Sequence, residues 1–218
     1  RFKSVPRNQF MKISVRDFYF KLDTTEKYTF ILISLLPITF LLGNFFINLF
    51  FMLFGVIFLI NIFILKKKII KDRIFWILLF LFFSLLLNVF FSTNSLNSLP
   101  RVMKILLMIT FINDFRKMAQ FYKKDFEITI FKIWSFIFLI IVMDGLFEFI
   151  FGFNTLGFKS YIPGRIAGFF GSELVIGAFY LGFVLLFLSY LTLIIKNTKN
   201  YTVPLILISL IMISFLLG

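Results

Sequence analysis

Asp144 and Glu148 stand four residues apart inside an apolar run, and Arg101 and Lys104 stand three apart inside another. On a helix either spacing puts both members on one face. Ionised groups embedded among apolar residues are expensive, and they face a partner or a water-filled cavity. These four, with Lys159, Arg165 and Glu173, are therefore the residues to which chemistry can be assigned. Either they pair across helices, Arg101 or Lys104 with Asp144, and fix the packing, or they gather round a polar cavity. Arg165 lies among Gly157, Gly164, Gly168 and Gly171, residues that let backbone approach a ligand closely. Ser172 can cap a helix that starts after it, turning that helix's positive end toward the same place. An arginine, glycine-freed N–H groups and a helix N-terminus together make a receptor for phosphate. A glycine-rich stretch is also an ordinary connection, and the residues alone leave both readings open. The chain has no His and no Cys, which removes the usual general base, the commonest metal ligand, disulfides and thiolate sites. No metal and no cofactor are expected.

The elements that must position these groups are transmembrane helices. Of 218 residues, 61% are hydrophobic and 15% charged, with a mean hydropathy of +1.02. A soluble domain carries about 25% charged residues. Apolar runs long enough to cross a bilayer recur along the chain, more than a signal peptide could explain. Residues 28–65 hold no charge, and as one helix they would measure about 57 Å, nearly twice the hydrocarbon thickness of about 30 Å. The run must turn back, and Gly43-Asn44 is its best turn pair. The expected fold is all-α, a polytopic bundle of about seven spans at 28–42, 45–65, 74–91, 100–113, 128–150, 172–195 and 201–218. Residues 1–27 form a basic leading segment, and 151–171 the loop carrying Arg165. Met11 is a plausible start, and Gly218 ends an apolar run with no polar close, so the chain reads as C-terminally truncated. The 37 Phe, beside many Ile, Lys and Asn, read as compositional bias filling lipid-facing positions rather than as an aromatic binding site.

The net charge of +13 is spread in short blocks between apolar runs, a topology signal and not a nucleic-acid patch. With the N-terminus in the cytoplasm, segments 1–27, 66–73, 114–127 and 196–200 lie inside and hold 18 of the 23 Lys and Arg. The positive-inside rule asks for this asymmetry. Arg101, Lys104, Asp144, Glu148, Lys159, Arg165 and Glu173 then all fall toward the outer face.

The stretch Gly152-Phe-Asn-Thr-Leu-Gly-Phe-Lys-Ser-Tyr-Ile-Pro-Gly-Arg-Ile-Ala-Gly-Phe-Phe-Gly-Ser-Glu-Leu-Val-Ile-Gly-Ala-Phe179 resembles the O-antigen ligase and polymerase family of bacterial envelope proteins. Their outer loop carries a similar Gly-Arg-x-x-Gly-x-Phe-Gly-x-Glu signature. The order of spans before it is similar too, so the resemblance covers roughly residues 11–218, the N-terminal half of such a protein. It implies an enzyme of the inner membrane that transfers a glycan from undecaprenyl pyrophosphate, on the periplasmic side, to lipid A–core or to another repeat unit. It implies that Arg165 matches the signature arginine that holds the pyrophosphate, with Arg101 and Lys159 as further cations near it. Glu173 matches the acidic partner, and Asp144 and Glu148 are supporting carboxylates. Ser172 departs from the pattern, since an Asp often precedes that Glu. The family's large later loop, with further arginines and in ligases a histidine, has no counterpart here. No catalytic residue is assigned, and this stretch alone is expected not to catalyse transfer. The partners implied are the lipid bilayer, a polyprenyl-pyrophosphate-linked glycan and its acceptor. The competing reading is a transporter or flippase for an anionic lipid or solute, which predicts internal repeats, broken helices and charges lining both halves.

Overall fold

The computed structural model describes residues 14–67, 69–91, 95–159, 166, 168–170, 176–198, 207, 208 and 211. Among the described residues every regular element is helical: α1 (Val15–Phe20), α2 (Thr24–Leu41), α3 (Asn44–Leu59), α4 (Arg73–Phe90), α5 (Ser95–Phe151) and α6 (Ile176–Thr198). Asp23 and Glu26 form a capping box that starts α2. The charge-free run turns back at Gly43, whose φ of 87° lies where a Cβ is disfavoured. α3 widens into a π-helical turn at Ile60–Ile64. There Leu65 N donates to Ile60 O and Lys67 N to Asn61 O. Asp72 opens α4 by accepting from Phe75 N at 3.1 Å.

α5 departs from expectation. The stretch 114–127, read as a loop between the fourth and fifth spans, is helical except at Lys123, whose φ of 47° and ψ of −126° break the helix. It holds no Gly or Pro and is built on Arg, Lys, Met, Ala and Gln, all good helix formers. The two arms fold back on each other. The rings of Phe115 and Trp134 lie 6.4 Å apart, where a straight helix would separate them by about 28 Å. The short span expected at 100–113 thus belongs to a longer arm, 95–122, antiparallel to 124–151.

Asn44–Ile64, Arg73–Phe90 and Ser98–Phe151 are long and apolar enough to cross a membrane. Exposed Phe45, Phe63, Phe80, Phe90 and Phe91 cover their outer faces, a surface that would drive association in water and that hydrocarbon solvates. Other phenylalanines are core. Phe18, Phe54, Phe126 and Phe138 are fully buried, and Phe18 meets Phe30 at 5.2 Å and Phe54 meets Phe111 at 5.0 Å. Composition alone had assigned them all to lipid, but the periodicity of each helix divides them between lipid and bundle. Of the expected seventh span only Leu207, Ile208 and Ile211 are described, and they pack on this core.

Candidate functional site

The second arm of α5 carries Asp144 and Glu148 into the bundle, 2% and 5% exposed. Each holds part of the following loop. Asp144 Oδ1 accepts from Thr155 N at 2.9 Å and from Thr155 Oγ1 at 2.6 Å. Glu148 Oε2 accepts from Gly168 N, and Glu148 O accepts from Gly152 N at 2.7 Å, closing the helix. Buried Asn154 ties the two halves of the loop. Its Oδ1 accepts from Leu156 N and Phe158 N, while its Nδ2 donates to Gly168 O at 2.7 Å. Gly152 and Gly157 supply the positive φ, 75° and 85°, that the turns require. The arrangement is a loop clamped at three points to one helix face.

The pairing of Arg101 or Lys104 with Asp144 is not what forms: both cations are exposed, and Thr155 occupies Asp144 Oδ1. Asp144 Oδ2 is buried and has no hydrogen-bond partner among the described residues. Lys159 is exposed at the edge of the loop. Arg165 and Glu173, with Gly164, Gly171 and Ser172, lie outside the described residues. Of the expected site, the structure therefore brings together Asp144, Glu148 and the loop backbone. Asn154 and Thr155 were not singled out from sequence. Their signal is an Asn-Thr pair set between Gly152 and Gly157, since Asn in that setting bonds the backbone two residues on.

A second polar cluster occupies the opposite end of the bundle. The Arg116 guanidinium makes a two-pronged pair with Asp72, its Nη1 donating to Oδ1 at 2.7 Å and its Nη2 to Oδ2. This contact holds the Asp72 carboxyl well below the usual carboxylate range, and the Phe75 N–H bond adds to the effect. Tyr122 donates to Glu26 Oε2 at 2.6 Å, Lys67 Nζ donates to Thr25 Oγ1 at 3.0 Å, and Ile70 N donates to Asn113 Oδ1 at 3.3 Å. The basic block after α3 is thereby strapped to the start of α2 and to the first arm of α5.

Comparison of the chain with protein-family models, with curated proteins and with solved structures finds no match.

The two clusters differ in what sequence reasoning saw of them. Charges at membrane depth are expected toward the face of Asp144, apart from Lys132, which the chain places near the opposite one. The second cluster adds a buried acid, Asp114, on the other side. It escaped notice because it sits beside Arg116 and Lys117 in what reads as a solvated basic block.

Proposed function

We propose that the chain belongs to a multi-pass inner-membrane glycan ligase or polymerase, with its N-terminus in the cytoplasm, about seven spans, and the Asp144 end facing the periplasm. The observation that carries this is the clamped loop. The stretch that resembles the family signature is the one that two buried carboxylates hold against a helix, with Asn154 tying its two halves together. Loop anchoring of this kind holds backbone N–H groups ready for an anionic ligand, here the pyrophosphate of a polyprenyl-linked glycan, for which Arg165 is the expected cation. Arg165 grips the departing pyrophosphate and offsets its developing charge without a metal. Exposed Arg101 and Lys159 add positive potential at the same end.

If the grip is bidentate, an ammonium cannot replace it. In the complete protein, Arg165→Lys and Arg165→Ala both abolish transfer while membrane insertion is unchanged. The rate loss is on the order of a hundredfold or more, as for other donors to a charge that develops in the transition state. Glycan attachment followed on gels, beside the protein level, measures it. Normal transfer by Arg165→Ala at equal expression removes Arg165 from the reaction and leaves the loop an ordinary connection.

One observation favours the second reading, a transporter or flippase. Polar groups at both ends of the bundle, including buried Asp114 and Asn61, are what such a protein needs. Uptake of a labelled anionic lipid or solute by vesicles containing the protein, with no glycan transferred, selects that reading.

A further inference from the structure

A helix irregularity lies at the Asp114 end. α3 opens into its π-helical turn at Ile60–Ile64, and such turns inside helices recur at functional sites. The widened turn carries Asn61, 7% exposed, into a small cavity with Asp114, 3% exposed. That cavity, about 230 Å³ including its mouth, is also lined by Glu26, Thr29, Lys67 and Lys117. Asn61 Oδ1 and Asp114 Oδ2 are both buried without a hydrogen-bond donor among the described residues. A buried acceptor left unsatisfied costs about 1–3 kcal/mol, and here two of them stand on residues that line one cavity.

The missing group is positive rather than negative. Lys67 is engaged elsewhere, donating to Thr25 Oγ1 and lying 3.9 Å from Asp23. Arg116 is held by Asp72, and Lys27 lies over the Tyr19 ring. Lys21 pairs with Asp125. The cavity lining carries two carboxylates, Glu26 and Asp114, and two ammoniums, Lys67 and Lys117, of which Lys67 is shared with exposed Asp23. Asn61 also lies in the last turn of its helix, whose C-terminal end carries partial negative charge and favours a cation. Thr29, which also lines the cavity, donates its hydroxyl to Thr25 O at 3.0 Å, so its oxygen can still accept. Among the described residues no three His, Cys, Asp or Glu side chains converge as a metal cluster.

We propose that Asn61, Asp114 and Thr29 form a seat for one monovalent cation, a sodium ion or a proton, between the π turn of α3, the first turns of α2 and the first arm of α5. The seat stands apart from the glycan-transfer reading. Its occupancy fastens three helices whose own hydrogen bonds leave these oxygens unpaired.

The test uses the full chain in detergent, its unfolding followed by the fluorescence of Trp134 and Trp76. At neutral pH and fixed ionic strength, sodium chloride replaces choline chloride in steps. For a sodium seat, sodium raises the melting temperature to a plateau, as binding to the folded state requires. Asp114→Asn then flattens the response, and Asn61→Ser shifts the half-saturating concentration upward by roughly tenfold. For a proton seat, sodium adds nothing at any pH. The melting temperature in choline then depends on pH, through a group that shares its cavity with Glu26, Lys67 and Lys117, and Asp114→Asn removes that dependence. Asn61→Ser keeps the carboxylate and supplies the readout in either case if Asp114→Asn does not fold. The proposal is overturned if wild type responds to neither sodium nor pH. It is equally overturned if both variants respond as wild type does, the result expected when the Lys117 ammonium itself fills the cavity.

Discussion

Asp144 meets Thr155 through both the backbone N–H and the hydroxyl, so its side chain stabilises the loop as well as its own helix. Hydrogen bonds to a charged group contribute about 1.5–3 kcal/mol. Asp144→Ala should lower the stability of the folded protein by roughly 2–3 kcal/mol, because it leaves the Thr155 N–H without its acceptor. Asp144→Asn should cost less, since the amide oxygen can still accept from Thr155 N. Melting in detergent, with protease cleavage of the loop as a local readout, measures both. Equal melting and equal cleavage in Asp144→Ala and wild type would show that the loop is held by other contacts. Asp72 gives a different kind of prediction, through acid. Its folded carboxyl titrates below the ordinary value of 3.8, chiefly because of Arg116. The stability gained is thus fully present above that ordinary value and is lost as pH falls through the lower folded one. Asp72→Asn should therefore be less stable than wild type at neutral pH, and the gap should close as the medium is acidified well below pH 3.8. A gap that is constant with pH would assign the Asp72 effect to packing and capping alone.

At the scale of elements, the reversal within α5 rests on one residue. Lys123 adopts a positive φ with an extended ψ, a combination natural to glycine and costly for other residues. Lys123→Gly should raise stability by about 1 kcal/mol, whereas Lys123→Val should lower it, because a β-branched side chain fits that conformation worst. Thermal melting of the two variants should move in opposite directions, and movement of both the same way would contradict a reversal at this residue. A second contact tests how α3 meets the first arm of α5. A Cβ built at Gly55 would stand 2.7 Å from Leu107 Cδ2. Gly55→Ala needs only the tip of a flexible leucine to shift. Gly55→Leu must part the helices and should cost roughly 1–3 kcal/mol or more, the range for overpacking. Gly55→Leu,Leu107→Ala should recover part of that loss, and no recovery would mean that the two residues do not touch.

For the molecule as a whole, the charge blocks and the helical path make a joint prediction. Reporter fusions should read cytoplasmic after about residues 70, 120 and 198, and periplasmic after about 96 and 160, as the distribution of Lys and Arg demands. A cytoplasmic reading at 160 would reverse the orientation and place the clamped loop on the wrong side for a periplasmic pyrophosphate. A fusion at 120 that reads periplasmic would show that the first arm of α5 does not cross. With those readings, the polar clusters at the two ends would serve different compartments, one anchoring a loop and the other joining three helices.

Several features follow from the sequence alone, because each is forced by a cost that no packing can evade. A charge-free run at 28–65 cannot cross a bilayer once, so it turns at its glycine. Carboxylates spaced four apart among apolar residues cannot face lipid, so Asp144 and Glu148 turn inward. Tertiary structure alone decided the rest. Nothing local distinguishes Lys123 from Lys124, since the reversal is imposed by Phe115 packing on Phe126 and Trp134 across it. Nothing local joins Asn61 to Asp114 either. One is an amide late in an apolar helix and the other an acid at the head of a basic block. They share a cavity because α2, α3 and α5 converge where the π turn widens, and contacts that span so many residues leave no trace in periodicity or composition.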